Sequence, residues 1–156
     1  MIDWTAVGSI GAAIGVFFAV WQLRQASEHA RTDFEDDLAR EYRELARQIP
    51  TTALLGGELG DEEFTNAFPA LFQYIDLSNE QVTLRMNGRV RATTWHEWCE
   101  GIASNLERPA FARAWREAKD KSQSFSELRK LEDSGFKDDP RMWLPWRRRA
   151  AQCLSV

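Results

Sequence analysis

Residues 4–23, WTAVGSIGAAIGVFFAVWQL, carry no formal charge, whereas charged side chains recur through most of the chain beyond them. An α-helix needs about 20 mainly apolar residues to cross a hydrocarbon core roughly 30 Å thick. Trp4 and Trp21 stand 17 positions apart, which at about 1.5 Å per residue is roughly 26 Å. One aromatic ring would then sit at each membrane–water boundary. The pattern predicts a transmembrane helix over residues 1–24. A cleaved secretory signal competes with that reading, but it needs a basic n-region, and this chain begins Met1-Ile2-Asp3. A buried or interfacial helix is the other competitor, because the segment is rich in Gly, Ala, Ser and Thr. Val7, Ile10, Ile14, Val16, Phe17, Phe18, Val20 and Leu23 are its strong apolar residues. Each contributes about 0.3–0.6 kcal/mol to insertion, a small margin in favour of the span.

Past residue 24 the pattern is helical throughout, with no convincing strand. Phe34, Leu38, Tyr42, Leu45 and Ile49 recur at helical spacing, so the span is expected to run on as a juxtamembrane amphipathic helix, residues 25–50. Residues 50–61, PTTALLGGELGD, read as a loop. A helix over residues 62–87 presents Phe64, Phe68, Leu71, Ile75, Val82 and Met86, should bend at Pro69, and stops at Gly88. Thr94-Trp-His-Glu97 has capping-box spacing and opens a helix burying Trp95, Cys99, Ile102 and Leu106. Pro109 opens another, with Phe111, Trp115 and Ala118; Ser124-Phe-Ser-Glu127 caps a short one bearing Leu128 and Leu131, closed by Gly135. The expected fold class is all-α: an N-terminal transmembrane helix continuing into a small cytosolic helical bundle. That bundle occupies residues 51–140, and residues 141–156 form a basic, aromatic tail.

Small residues inside the span carry a second message. Gly11, Gly15 and Ala19 recur every four positions, and Gly8 with Ala12 forms a neighbouring stripe. Helices associate in lipid through close backbone approach along such faces, which points to a homo-oligomer. Arg24 and Arg31 follow the span and no Lys or Arg precedes it. The positive-inside rule places the N-terminus outside and the domain in the cytoplasm of a single-pass inner-membrane protein. Cys99 and Cys153 then lie in a reducing compartment, lack the histidines a zinc site requires, and suggest neither disulfide nor metal. Net charge is −4, which argues against a surface that coats nucleic acid. In the tail, Trp143, Trp146, Arg147, Arg148 and Arg149 could lie on anionic headgroups alongside Trp4, Trp21 and Arg24. Docking on an acidic face of a sister subunit and simple solvation are the other readings of that tail.

The leading SIGAAIGVFFAVWQLRQASEHAR, with Gln22-Leu23-Arg24-Gln25, resembles the opening of a widespread family of small bacterial proteins of unestablished activity. Asn79-Glu80-Gln81, Gly88, Trp95, Trp98, Pro109, Trp115 and Phe125 are similar to its later landmarks. The layout of one span plus a helical domain also resembles the membrane accessory proteins of type VI-B CRISPR systems. That likeness implies a HEPN-like domain and a setting in membrane-directed antiviral defence. HEPN ribonucleases place Arg-x4–6-His at a helix start, where the pairs of two subunits converge on a phosphodiester. Arg91-Ala-Thr-Thr-Trp-His96 fits that spacing, but Arg24 to His29 and Arg89 to His96 fit as well, among 16 arginines. Ala92 departs from the polar residue that often follows the arginine. The plain alternative is a solvated pair of His96 with Glu100.

No phosphate-cradling glycine loop, zinc spacing or nucleophile elbow occurs. Asp61-Glu62-Glu63 suits a helix start; Asp76 and Glu80 read as exposed acids, and Trp95, Trp98 and Trp115 as core. No cofactor is expected. Three functions follow as expectations. The first is a non-enzymatic, self-associating scaffold or effector at the membrane, whose partners are lipid and its own copies. The second is a membrane-tethered HEPN-like ribonuclease using Arg91 and His96, the one reading that would engage nucleic acid. The third is a tether that recruits a cytosolic partner.

Overall fold

Helix follows helix because the apolar residues keep a period of about 3.6 through the domain and no alternating run interrupts it. The computed structural model describes residues 4–144, apart from the side chains of residues 4–20 and 27. It is all-α, with no strand among the described residues: α1 (Trp4–Ala46), α2 (Thr51–Leu54), α3 (Asp61–Met86), α4 (Ala92–Glu107), α5 (Pro109–Lys121), α6 (Ser126–Asp133), then a 3₁₀ turn, Pro140–Trp143.

The chain divides into two compact units, residues 1–37 and 38–156. That division falls inside the expected juxtamembrane segment 25–50, because Leu38, Leu45 and Ile49 are buried with the core of the second unit. The first unit consists of the earlier part of α1. Its Trp21 and Leu23 are 51% and 70% exposed, beside an exposed Arg24. Among the described residues no helix is long and apolar enough to cross a membrane. Side chains of the uncharged run are described only from Trp21 onward, so Trp4 and the stripe Gly8, Gly11, Ala12, Gly15 and Ala19 lie outside them.

In the second unit α3 is the central element, with α5, α6 and the 3₁₀ turn packed on it; α5 also carries α4 and α2. Phe64, Leu71, Ile75 and Val82 are buried as expected, and so are Tyr74, Ser78, Gln81 and Arg85. A helix flanked on several sides buries more than one stripe. Pro69 is exposed and α3 runs through it without a break. The segment 50–61 is not all loop. Pro50, at φ −54 and ψ 136, leads into the single turn α2, whose Ala53 is fully buried.

Both expected capping boxes are corrected. The α4 N-cap is Arg91, so Thr94 sits inside the first turn; the α6 N-cap is Phe125, held at φ +67. Phe125 is buried against Phe72, ring centroids 5.6 Å apart, and against Trp115 at 6.1 Å. That burial offsets the roughly 1–2 kcal/mol a left-handed non-glycine residue costs. The helix stops behave as read from sequence. At Gly88, φ +77, the Arg89 N–H donates to Leu84 O at 2.9 Å; at Gly135, φ +65, the Phe136 N–H donates to Leu131 O at 3.0 Å. Both satisfy last-turn carbonyls by a left-handed residue that glycine adopts without strain.

The expected tail begins inside the domain. Trp143, expected at a lipid surface, is 7% exposed. Its ring lies 4.3 Å from the Lys130 Nζ, and its Nε1 donates to Asp138 at 3.4 Å. A ring packed in this way is not free to anchor in headgroups. Arg85 ties the same turn to α3: Nε donates to Asp139 Oδ1 at 2.9 Å, Nη2 pairs with Oδ2, and Nη1 donates to Val90 O at 2.9 Å. Trp146, Arg147, Arg148 and Arg149 lie outside the described residues.

Candidate functional site

Residues seven apart on a helix share one face, two turns from each other. On α3 that relation joins Tyr74 to Gln81, and on α4 it joins Trp98 to Asn105. These four, with Tyr42 and Glu97, line a cleft of about 180 Å³ in the second unit. Trp98, expected in the core with Trp95 and Trp115, is only half-buried and forms part of the cleft wall, whereas the other two are 5% and 2% exposed. Trp98 lies three residues from Trp95 and one from Cys99, so it points beside the packed face and not into it.

Among the apolar lining of the cleft sit a few polar groups. The Asn105 Nδ2 donates to the Tyr74 Oη at 3.0 Å, and the Tyr74 ring meets Phe111 edge-on with centroids 5.0 Å apart and Tyr42 at 6.1 Å. Burial pushes the Tyr74 phenol up to about 12, against the pull of its hydrogen bonds with Asn105 and Ser78. It is therefore a neutral hydroxyl at any ordinary pH. Gln81 and Asn105 are 7% and 6% exposed. Among the described residues no hydrogen bond reaches the Gln81 carboxamide, and Asn105 spends one N–H on Tyr74. Neither amide is sealed in, since only Trp115 Nε1 is both shut off from solvent and unpartnered among the described residues. Two amides opening into one aromatic-walled cleft are a donor–acceptor set suited to a small polar guest. No Lys or Arg lines the cleft, and Glu97 stands at its rim.

Sequence reasoning missed this site although a signal was present. Tyr74, Ser78, Gln81 and Arg85 follow one another at four, three and four positions, a polar stripe on a helix read for its apolar residues. All four are buried, at 3%, 1%, 7% and 3% exposure. Ser78 satisfies itself by donating to Tyr74 O at 2.8 Å, and Arg85 is taken by Asp139.

The Arg91–His96 pair has a different character. Arg91 caps α4 and is half-buried, and its carbonyl accepts from the Trp95 N–H at 2.9 Å. His96 exposes 76% of its side chain, with Nε2 3.3 Å from Glu100 Oε1. Arg91 stands at extended φ −66 and ψ 157, just outside the helix that carries His96. His29, the other histidine with suitable spacing, is exposed on α1 beside Trp21, Arg24 and Glu28.

Cys99 is buried, its Sγ 3.5 Å from Phe136 O, and burial raises its thiol to about 11, with Glu100 and Asp139 adding to the shift. That is a packed side chain and not a nucleophile. Asp76 and Glu80 are exposed on α3, across a shallow groove from Glu41 and Glu44. Among the described residues no group of three or more His, Cys, Asp or Glu side chains is placed to hold a metal ion. The chain matches no protein-family model, and no match emerges among curated proteins or solved structures.

Proposed function

We propose that this chain is a membrane-anchored, self-associating helical protein that works as a scaffold or effector without catalysing a reaction. Its first helix is the anchor, its N-terminus lies outside, and the domain faces the cytoplasm at a bacterial inner membrane. The resemblance to accessory proteins of type VI-B systems suggests antiviral or stress defence as the setting. The observation that carries the reading is α1 itself. One unbroken helix, Trp4–Ala46, holds the uncharged run at its start and Leu38 and Leu45 of the domain core near its end. Between them the exposed Trp21 and Leu23 sit directly before Arg24, as a helix leaving a bilayer requires. Fractionation with a carbonate wash tests the anchor. The chain should stay with the membrane pellet, and release into the wash would overturn the reading.

Self-association rests on the small-residue stripe. Gly11→Leu with Gly15→Leu should reduce the oligomer's mass in nanodiscs to that of a smaller species, because two isobutyl groups hold backbones apart. An unchanged mass would remove this face as the contact. A monomer already in the unsubstituted protein would favour the recruiting tether.

The ribonuclease reading keeps one specific point in its favour: His96 is open to solvent near a helix start, accessible to a second copy. Purified protein is expected to leave single-stranded RNA intact. Cleavage that disappears in an Arg91→Ala, His96→Ala double variant would replace the scaffold with a nuclease.

A further inference from the structure

The cleft between α3 and α4 is mainly apolar and aromatic but carries two carboxamides, Gln81 and Asn105, and that combination defines a guest. We infer that it is a binding site for one neutral, planar heterocycle of nucleobase size, held between Tyr42 and Trp98 and read along its edge by the Gln81 and Asn105 carboxamides.

Size sets the first limit. A cleft of about 180 Å³ is below the roughly 300–1,000 Å³ of drug-sized sites, so it takes a single ring system and not an extended ligand. Charge sets the second. The lining contains Glu97 and no cationic side chain, so a phosphate or carboxylate entering it would meet repulsion and lose its hydration without a partner. Hydrogen bonding sets the third. A primary carboxamide offers a donor and an acceptor side by side, the pairing by which Asn and Gln read the edge of a base. Gln81 offers both, unspent, from a side chain 93% buried by its 7% exposure. Asn105 is held in place by Tyr74 and retains its acceptor. The aromatic walls supply faces on which a flat ring stacks, worth about 1–3 kcal/mol per base.

A compact ammonium is the rival guest, because aromatic rings with an acid beside them also attract cations. It could donate to the carboxamide oxygens but would leave the Gln81 N–H groups idle. The heterocycle uses the donor and the acceptor of Gln81 together with the Asn105 acceptor.

The site is independent of the membrane anchor, so either reading can fail alone. The test uses the full chain in nanodiscs, titrated calorimetrically and followed by ligand-observed NMR with adenine, cytosine, adenosine monophosphate and spermidine. A free base should bind, the monophosphate should bind more weakly than its base, and spermidine should compete poorly. Gln81→Leu keeps the volume and deletes the edge contacts. It should weaken base binding at least tenfold while thermal stability stays equal or rises, because an unpartnered buried amide has been removed. Trp98→Ala, at a half-buried position, should weaken the same bases by removing a stacking wall. Absence of binding by either base, undiminished affinity in both variants, or tighter binding of spermidine than of the bases would each overturn the inference.

Discussion

Replacing Phe111 with alanine should cost the helical domain about 3–5 kcal/mol, the range for deleting a large ring from a packed core. Phe111 is 1% exposed, lies on α5 where that helix packs on α3, and supports the Tyr74 ring edge-on. Leu71, Ile75 and Ala114 of the same core are likewise at 0% exposure, and close-packed interiors collapse only partly around a deleted ring. At roughly 3–5 °C per kcal/mol for a domain of this size, the melting temperature should fall by roughly 10–20 °C. Leu55→Ala is the control. Its side chain is 82% exposed, and the change should stay within about 0.5 kcal/mol. Circular dichroism melts of both variants decide it, and a Phe111→Ala loss below about 1 kcal/mol would mean that α5 is not seated as described. The same variant loosens Tyr74 and hence Asn105, so it should also blunt the cleft. Gln81→Leu, by contrast, should affect binding without loss of stability.

The all-α architecture was legible because α3, α5 and α6 are built on apolar residues at helical spacing, and Gly88 and Gly135 stop helices by a backbone requirement that is local. The N-terminal caps were less legible. Thr94 and Ser124 have the right spacing to a later Glu, but α4 begins earlier, just after Val90, which is fully buried and whose carbonyl accepts from Arg85. At α6, burial of Phe125 between Phe72 and Trp115 outweighs a serine cap. Trp143 looked like an interfacial residue because its sequence neighbours are arginines, yet Asp139 and Asp138 hold its turn against the domain. The cleft was hidden for another reason. Its residues lie on separate helices, and only the packing of both α3 and α4 on α5 brings Asn105 to Tyr74, 31 positions away. Polar residues at 74, 78, 81 and 85 were the trace it left in one dimension.

The Arg85–Asp139 pair gives the second large effect, and it should be unequal between the partners. The Arg85 side chain is 4% exposed and that of Asp139 is 38% exposed. Removing the acid strands a guanidinium inside the domain, whereas removing the base leaves a carboxylate that water still reaches. Asp139→Ala should therefore cost about 2–3 kcal/mol, below the full range for a sealed pair because solvent screens the acid. Arg85→Met should cost nearer about 1 kcal/mol, mainly from the orphaned Val90 carbonyl. Urea unfolding near neutral pH measures both, and the reverse order would show that the buried arginine does not carry the cost. Acidity gives a separate handle. Partial burial works to raise the Asp139 carboxyl, but the Arg85 hydrogen bond, the Arg141 N–H and the charges of both arginines outweigh it and hold it below 3.8. The ionised pair thus contributes its full stabilisation above the unfolded carboxyl value of about 3.9 and loses it as pH falls through the lower folded value. The stability gap between the unsubstituted protein and Asp139→Asn should hold steady from pH 7 to about pH 5 and narrow below about pH 4. A gap that closed at higher pH would mean that Arg85 does not hold this carboxylate in the folded state.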